Sequence, residues 1–340
     1  MKAHTTAIHA VPTNIITGFL GVGKTSAILH LLKNKAADER WAVLVNEFGE
    51  IGVDGSLFAG QHPESEEVFI REVPGGCMCC AAGLPMQIAL NQLLSRAKPD
   101  RLLIEPTGLG HPKEVLEVLS SEHYRDVLSL QKILTLVDAR KLADARYREH
   151  STFQQQIAIA DVLVANKQDL YSGNEQLLLE DYARQYARPE VALVFSQNGQ
   201  FAPQLLDGAT SASIATASSS HHHSGHTANK ELVADLPMPD SGFLKACNKG
   251  EGFISSGWRI SPQHVFSYDK LFAFLSGLHA ERMKAVFITE QGVFAYNLSS
   301  DALTEMELDD CLESRIEIIA DREDASWQEQ LMACLNEDYT

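Results

Sequence analysis

The chain has 340 residues, 45% hydrophobic and 21% charged, the balance of a folded globular protein and not of a disordered one. Its 28 Lys and Arg against 45 Asp and Glu give a net charge of −17, which argues against a partner such as a nucleic-acid backbone. No run approaches the roughly 18 to 20 apolar residues of a membrane helix, and Met1 to Pro12 lacks the apolar core of a secretory signal. The expected location is therefore the cytoplasm, with no membrane partner.

In chain order, apolar runs predict strands at Asn14–Thr17, Ala42–Val45, Val68–Val73, Leu102–Glu105, Ile133–Val137, Val162–Ala165 and Val191–Phe195. Several are apolar along their whole length, as strands buried on both faces of a parallel sheet must be. Between them Thr25–Lys33, Leu84–Ala97, Lys113–Leu119 and Glu175–Tyr186 read as helices. This alternation predicts an α/β domain with a mostly parallel sheet over residues 1–207.

Residues 208–236 form a Ser/Ala/Thr-rich stretch that reads as a flexible linker. It contains His221, His222, His223 and His226, read as a low-affinity metal-collecting segment, with a neutral spacer as the alternative. A second pattern follows over 237–340. Strand-like Phe253–Ser261 precedes a helix face of Leu271, Phe274, Leu275 and Leu278. Val286–Thr289 and Val293–Leu298 flank Glu290-Gln291-Gly292, a hairpin signal. Arg315–Ile319 reads as a strand, and Trp327, Leu331, Cys334 and Leu335 mark a final helix. The expectation is a small α+β domain.

The first chemistry-bearing motif is Gly18-Phe19-Leu20-Gly21-Val22-Gly23-Lys24-Thr25, which fits G-x-x-x-x-G-K-[ST] between a predicted strand and a predicted helix. Backbone N–H groups from Gly18, Gly21, Val22, Gly23 and on to Ser26 would cradle phosphate at the positive end of the helix. Lys24 would reach the β- and γ-phosphates, and Thr25 would offer its hydroxyl to Mg²⁺. After the sixth run comes Asn166-Lys167-Gln168-Asp169. A carboxylate at Asp169 can accept from guanine N1–H and N2–H₂, an edge adenine lacks, so the loop favours GTP. Ser196, after the last strand of this domain, supports the base through its loop in the same reading.

Two acidic loops follow other strands. Glu105 is a candidate to hold Mg²⁺ directly or through water, Gly108 offers an N–H to the γ-phosphate, and Glu47 contacts Mg²⁺ or orients the attacking water. In a parallel sheet all these loops leave one edge and surround one pocket. From that edge also emerges Gly75-Gly76-Cys77-Met78-Cys79-Cys80, while Cys247, Cys311 and Cys334 are scattered. Clustered thiolates are soft ligands, with Zn²⁺ the favoured ion over Cu⁺ or an iron–sulfur centre. Glu50, Glu47, Glu72 and His111 are candidates for a fourth ligand. A redox pair of Cys77 and Cys80 is the competing reading.

The motifs T-G-F-L-G-x-G-K-T, N-E-F-G-E, G-G-C-M-C-C, E-P-T-G and N-K-x-D, in this order, resemble those of the CobW-type P-loop GTPases. That class includes the urease and hydrogenase nickel-insertion GTPases. The resemblance spans almost the whole chain and implies a CobW-type C-terminal domain. It further implies hydrolysis of GTP, with the Mg²⁺ and switch roles on Thr25, Glu47 and Glu105, and catalytic work by Lys24, Thr25, Glu47 and Glu105. Base recognition by Asn166, Lys167 and Asp169 is implied as well, as is zinc on Cys77, Cys79 and Cys80. Several relatives carry a glutamate just before N-E-F-G where this chain has Val45, which leaves Glu50 as the acidic zinc candidate. The expected role is zinc delivery to a client metalloenzyme, with nucleotide- or zinc-dependent homo-oligomerisation left open. A zinc store or sensor with incidental GTPase activity, and a GTP-dependent thiol-redox switch, are the alternatives.

Overall fold

The computed structural model describes residues 8–46, 68–73, 84–212, 236–250, 252–299, 302–308 and 310–336. Within them eight strands form one parallel sheet: β1 (Val11–Gly18), β2 (Trp41–Asn46), β3 (Val68–Val73), β4 (Arg101–Glu105), β5 (Leu128–Leu130), β6 (Leu134–Val137), β7 (Val162–Ala165) and β8 (Ala192–Phe195). Their order is β3-β2-β4-β1-β6-β7-β8, with β5 pairing the first half of β1 and β6 its second half. The helices beside them are α1 (Lys24–Lys33), α2 (Leu84–Ala97), α3 (Pro112–Leu119), α4 (Ala145–Arg148), α5 (Ser151–Ile159) and α6 (Glu175–Tyr186).

Alternate strand residues enter two different cores, which is why the strands read as unbroken apolar runs. Ile16, Val43, Val45, Leu103 and Leu136 pack with Ile28 and Leu31 of α1, Phe153 and Ile157 of α5, and Leu179 of α6. Ile15, Ala42, Leu44, Leu102 and Ile104 pack on the opposite face with Leu90, Leu93 and Leu94 of α2 and Val115 and Leu116 of α3. The chain order places β2, β3 and β4 on one side of β1 and β6, β7 and β8 on the other. The loop after β1 therefore lies at the point where the winding reverses, the usual ligand crevice of such sheets.

Helix α5 has no apolar periodicity to betray it, because its inward residues include Thr152 and Gln156, both fully buried. The Thr135 hydroxyl donates to the Gln156 carbonyl at 2.8 Å, and the Gln156 amide donates to the Gly108 carbonyl at 3.0 Å. A helix that supports a polar loop must itself present polar groups there.

The second sheet is antiparallel, in the order β13-β12-β11-β14-β10-β9. Its strands are β9 (Phe243–Gly250), β10 (Phe253–Ile260), β11 (Arg282–Thr289), β12 (Gly292–Leu298), β13 (Leu303–Leu308) and β14 (Ser314–Ala320). Helices α7 (Tyr268–Ser276) and α8 (Ser326–Met332) cover one face, where Leu271, Leu275, Trp327 and Leu331 meet Trp258, Met283, Phe287 and Ile316. The edge strands β9 and β13 carry polar and charged residues such as Lys245, Lys249, Glu305 and Glu307 and so present no apolar run, the usual protection of an exposed edge.

The other face of this sheet turns toward the parallel one. Ile319 joins the core beneath α1, and the Phe253 ring lies 6.4 Å from that of Phe19. The Tyr147 hydroxyl donates to Glu281 Oε2 at 2.7 Å. Burial, reinforced by the Glu281 carboxylate, pushes the Tyr147 phenol well above its ordinary pKa, so it stays a neutral donor.

The chain remains pinned to the first sheet as far as Ser211. Asp161 accepts from the Ile133 and Ser211 backbones, from the Thr210 and Ser211 hydroxyls, and from Arg188 at 2.6 Å. Burial works to raise its pKa, but these donors together hold it below the usual carboxylate range. Its contribution to stability is thus present above the unfolded pKa of about 3.9 and is lost as the pH falls through the lower folded value. Asp161→Asn should cost about 2 kcal/mol at neutral pH. Denaturant titrations should show that gap narrowing below about pH 4; a gap independent of pH would contradict the assignment.

Candidate functional site

The loop after β1 is held open by contacts that only certain residues allow. Gly23 caps α1 with φ +96°, and a β-carbon there would fall 2.6 Å from the Asn166 amide nitrogen. Phe19 is 1% exposed and anchors the loop, its ring packing edge-on against Tyr147, His150 and Phe153. No acidic residue stands in the first turn of α1 itself, and its amino-terminal end faces the cavity. Lys24 is buried and folds back over the loop, donating to the Phe19 carbonyl at 3.4 Å. That posture is ready to exchange a carbonyl for phosphate oxygens.

Beside it lies a pair of hard oxygen donors. The Thr25 hydroxyl donates to Glu105 Oε1 at 3.2 Å, and Glu105, at the end of β4, is 3% exposed. A hydroxyl and a carboxylate at the foot of a phosphate loop fit Mg²⁺, which takes few protein ligands and completes its shell with water and phosphate. Gly108 follows on the same loop and approaches the phosphate loop so closely that a β-carbon would meet the Leu20 nitrogen at 2.9 Å.

Asn166 ties three segments together. Its amide donates to the Val22 carbonyl at 2.8 Å, and its side-chain oxygen accepts from the Gly199 N–H at 3.0 Å. Lys167 takes a left-handed conformation, φ +60°, which turns the chain back so that the Gln168 N–H reaches the Ser196 carbonyl. The Tyr171 hydroxyl donates to the Asn166 carbonyl at 3.0 Å, and burial pushes that phenol up to about 12. Asp169 is exposed and lines the cavity.

These groups surround a cavity of about 290 Å³. Gly21, Gly23, Lys24, Thr25, Ser26 and Glu105 form its floor, and Asn166, Lys167 and Asp169 one wall. Sequence reasoning missed the roof. Arg282, Lys284, Asn297, Ser299 and Thr304 line it from the second sheet, and Asn198 from the loop after β8. The signal was Arg282 and Lys284 two apart on a strand. Charged residues at that spacing read as a solvated face, yet they are only 7% and 6% exposed. The Lys284 ammonium donates to the Thr25 hydroxyl at 2.8 Å, across 259 positions of sequence.

Glu47, Glu50, Cys77, Cys79, Cys80, His221, His222, His223 and His226 lie outside the described residues, as does the side chain of Glu72. The strands that lead to the first two groups are described. Val45 pairs with Glu105 and Asn46 with Val73, so β2, β3 and β4 end level at the cavity edge. His111 caps α3, and its Nδ1 lies 3.1 Å from Gln155 Oε1. Among the described residues no three His, Cys, Asp or Glu side chains are grouped as metal ligands, and no helix is long and apolar enough to cross a membrane.

A parallel sheet wound on both faces, with a glycine loop, lysine and threonine at its switch point, defines a P-loop nucleotide-binding protein. Residues 12–193 match the model of the CobW/HypB/UreG nucleotide-binding domain, and the chain belongs to this family. It is 40% identical over 319 residues to the zinc chaperone YeiR of Escherichia coli, covering 93% of this chain and 94% of that one. It is 30% identical over 247 residues to the zinc chaperone CobW of a Sinorhizobium species, covering 65% and 69%. It is 31% identical over 208 residues to the zinc chaperone YjiA of Escherichia coli, covering 56% and 63%.

Because Asn166 fastens the phosphate loop, Asn166→Ala should leave the Val22 carbonyl and Gly199 N–H unsatisfied at a cost of about 2–3 kcal/mol. Thermal melting and fluorescent-nucleotide titration together should register a drop in both stability and nucleotide affinity. Lost affinity at unchanged stability would mean that Asn166 serves the nucleotide and not the loop.

Proposed function

We propose that the chain is a zinc-responsive GTPase that hydrolyses GTP to GDP and phosphate and delivers zinc to a client protein. The observation that carries this reading is the shared sheet edge. The phosphate loop, the Thr25–Glu105 pair and the N-K-x-D loop converge there, and β3 ends level with them only four residues before Cys77. With strands about 4.8 Å apart, the ends of β3 and β4 are separated by about 10 Å, a span that four extended residues can cross. The names of the relatives support zinc as cargo.

In this reading Lys24 and the loop N–H groups hold the β- and γ-phosphates, and Thr25 and Glu105 hold Mg²⁺. The metal would neutralise charge developing between the two phosphates. Asp169 selects guanine by accepting from its N1–H and N2–H₂, and Lys167 and the Ser196 loop brace the base. Glu47 orients the attacking water. Without a supplied arginine, turnover is expected to be slow, on the order of 10⁻⁴ to 10⁻² per second. Cys77, Cys79 and Cys80 hold zinc, with Glu50 the candidate fourth ligand. If nucleotide state changes zinc affinity, zinc must change nucleotide affinity by the same factor.

The test follows GTP hydrolysis during a zinc titration. Wild type should change rate as zinc saturates, and a Cys77/Cys79/Cys80→Ser variant should keep basal turnover without responding. Lys24→Ala should lower turnover by about 100-fold or more. A wild-type rate indifferent to zinc would sink the coupled mechanism, and ATP hydrolysed as fast as GTP would sink the guanine assignment.

A further inference from the structure

The polar face of the second sheet forms one cross-strand row, Thr304–Asn297–Lys284–Glu317, with Arg282 one step along β11 on the same face. Thr304, Asn297 and Lys284 of this row line the cavity, and Lys284 reaches Thr25 itself. Its ammonium donates to Thr25 Oγ1 at 2.8 Å, and that hydroxyl donates in turn to Glu105 Oε1 at 3.2 Å. Lys284 is 6% exposed and Glu105 3%, so the arrangement is a buried relay of cation, hydroxyl and carboxylate. Burying a carboxylate without a compensating charge is strongly unfavourable. In this fold Lys284, from the other sheet, joins Lys24 as a buried cation lining the cavity with Glu105.

The same Thr25 oxygen is the one that would ligate Mg²⁺. A magnesium–oxygen bond is about 2.1 Å long. A divalent ion and an ammonium on one oxygen would stand only a few ångströms apart, and their repulsion makes the two occupancies exclusive. A lysine is suited to such an exchange, being a point charge on a flexible four-carbon stem. Its backbone is held in the β11 ladder and its side chain lines the cavity, so an ammonium driven from Thr25 stays beside that cavity.

We infer that Lys284 is the built-in counter-cation of this site: it occupies the Mg²⁺ position on Thr25 when no nucleotide is bound, and GTP with Mg²⁺ drives it from Thr25 onto the γ-phosphate. This rests on the nucleotide-hydrolysis reading above and deepens it. GDP offers the displaced ammonium no γ-phosphate, so the two nucleotide states leave Lys284 with different contacts. The second sheet then holds differential contacts with the two nucleotide states, which is what a nucleotide needs in order to bias the position of a domain. A charge supplied in cis to the γ-phosphate is a recurring element of phosphoryl-transfer sites.

The experiment titrates the full chain with fluorescent GDP and a non-hydrolysable GTP analogue across a Mg²⁺ series. It compares wild type, Lys284→Met and Lys284→Gln. Met keeps the stem and removes the charge; Gln keeps a hydrogen-bond donor and removes the charge. Both variants should bind GDP at about tenfold lower Mg²⁺ than wild type and lose about tenfold of the preference for the GTP analogue over GDP. If Lys284→Met unfolds, Lys284→Gln decides. A Gln variant with the wild-type Mg²⁺ profile and the wild-type preference overturns the inference, because a hydrogen bond and not a charge would then be what matters. The same series with ATP analogues separates the two readings. A Mg²⁺ shift with either nucleoside triphosphate supports Lys284 as counter-cation even if guanine selection fails. No binding of any nucleotide by folded wild type overturns both.

Discussion

Every hydrogen-bonded pair in the first sheet is parallel, and that single geometric condition organises the site. Parallel strands all finish at the same edge, so chain separated by scores of residues is delivered to one line in space. The phosphate loop follows β1, Glu105 terminates β4 and Asn166 follows β7, yet they share one cavity. The ends of β2 and β3 lie on that line too, in register with Glu105 and with each other. The proposed link between nucleotide and zinc rests on this alignment and not on any direct contact.

The edge alone would give only a set of loops. What gives them fixed shape is a layer of buried polar groups beneath. Asn166 bridges the phosphate loop and the loop after β8, Gln156 holds the Gly108 carbonyl, and Tyr171 holds the Asn166 carbonyl. Each replaces water for a backbone group that could not be left unsatisfied. The cost appears in sequence as polar residues where an apolar pattern would otherwise run, as in α5. Phe19 does the opposite task from within the same loop, burying an aromatic ring so that the glycines around it can stay open.

The two sheets meet across a face that is apolar at Ile319 and Phe253 and charged at the cavity. β11 turns Met283, Ala285 and Phe287 toward the helices and Arg282 and Lys284 toward the phosphate loop. In a chain of net charge −17, cations placed against a cavity carry more weight than the total suggests. The Tyr147–Glu281 hydrogen bond and the Phe19–Phe253 contact hold the approach, and Lys284 closes it on Thr25.

Local chemistry was legible from the sequence wherever neighbouring residues sufficed. G-F-L-G-V-G-K-T needs only its own glycines and the strand and helix on either side, and the strands from β1 to β8 show themselves through apolar runs, apart from β5, which is three residues long. The helix α4 was hidden by its single turn, and α5 because buried Thr152 and Gln156 interrupt its apolar face. The edge strands β9 and β13 were hidden because polar residues break their runs. The roof of the cavity was beyond sequence reasoning altogether. Arg282 and Lys284 alternate along a strand as surface charges do, and only the packing of one sheet on another makes them buried, since a side chain's exposure is a property of what faces it. The sequence by itself determined the phosphate loop and the parallel architecture; the tertiary structure alone decided that a lysine 259 positions away would stand against the Thr25 hydroxyl.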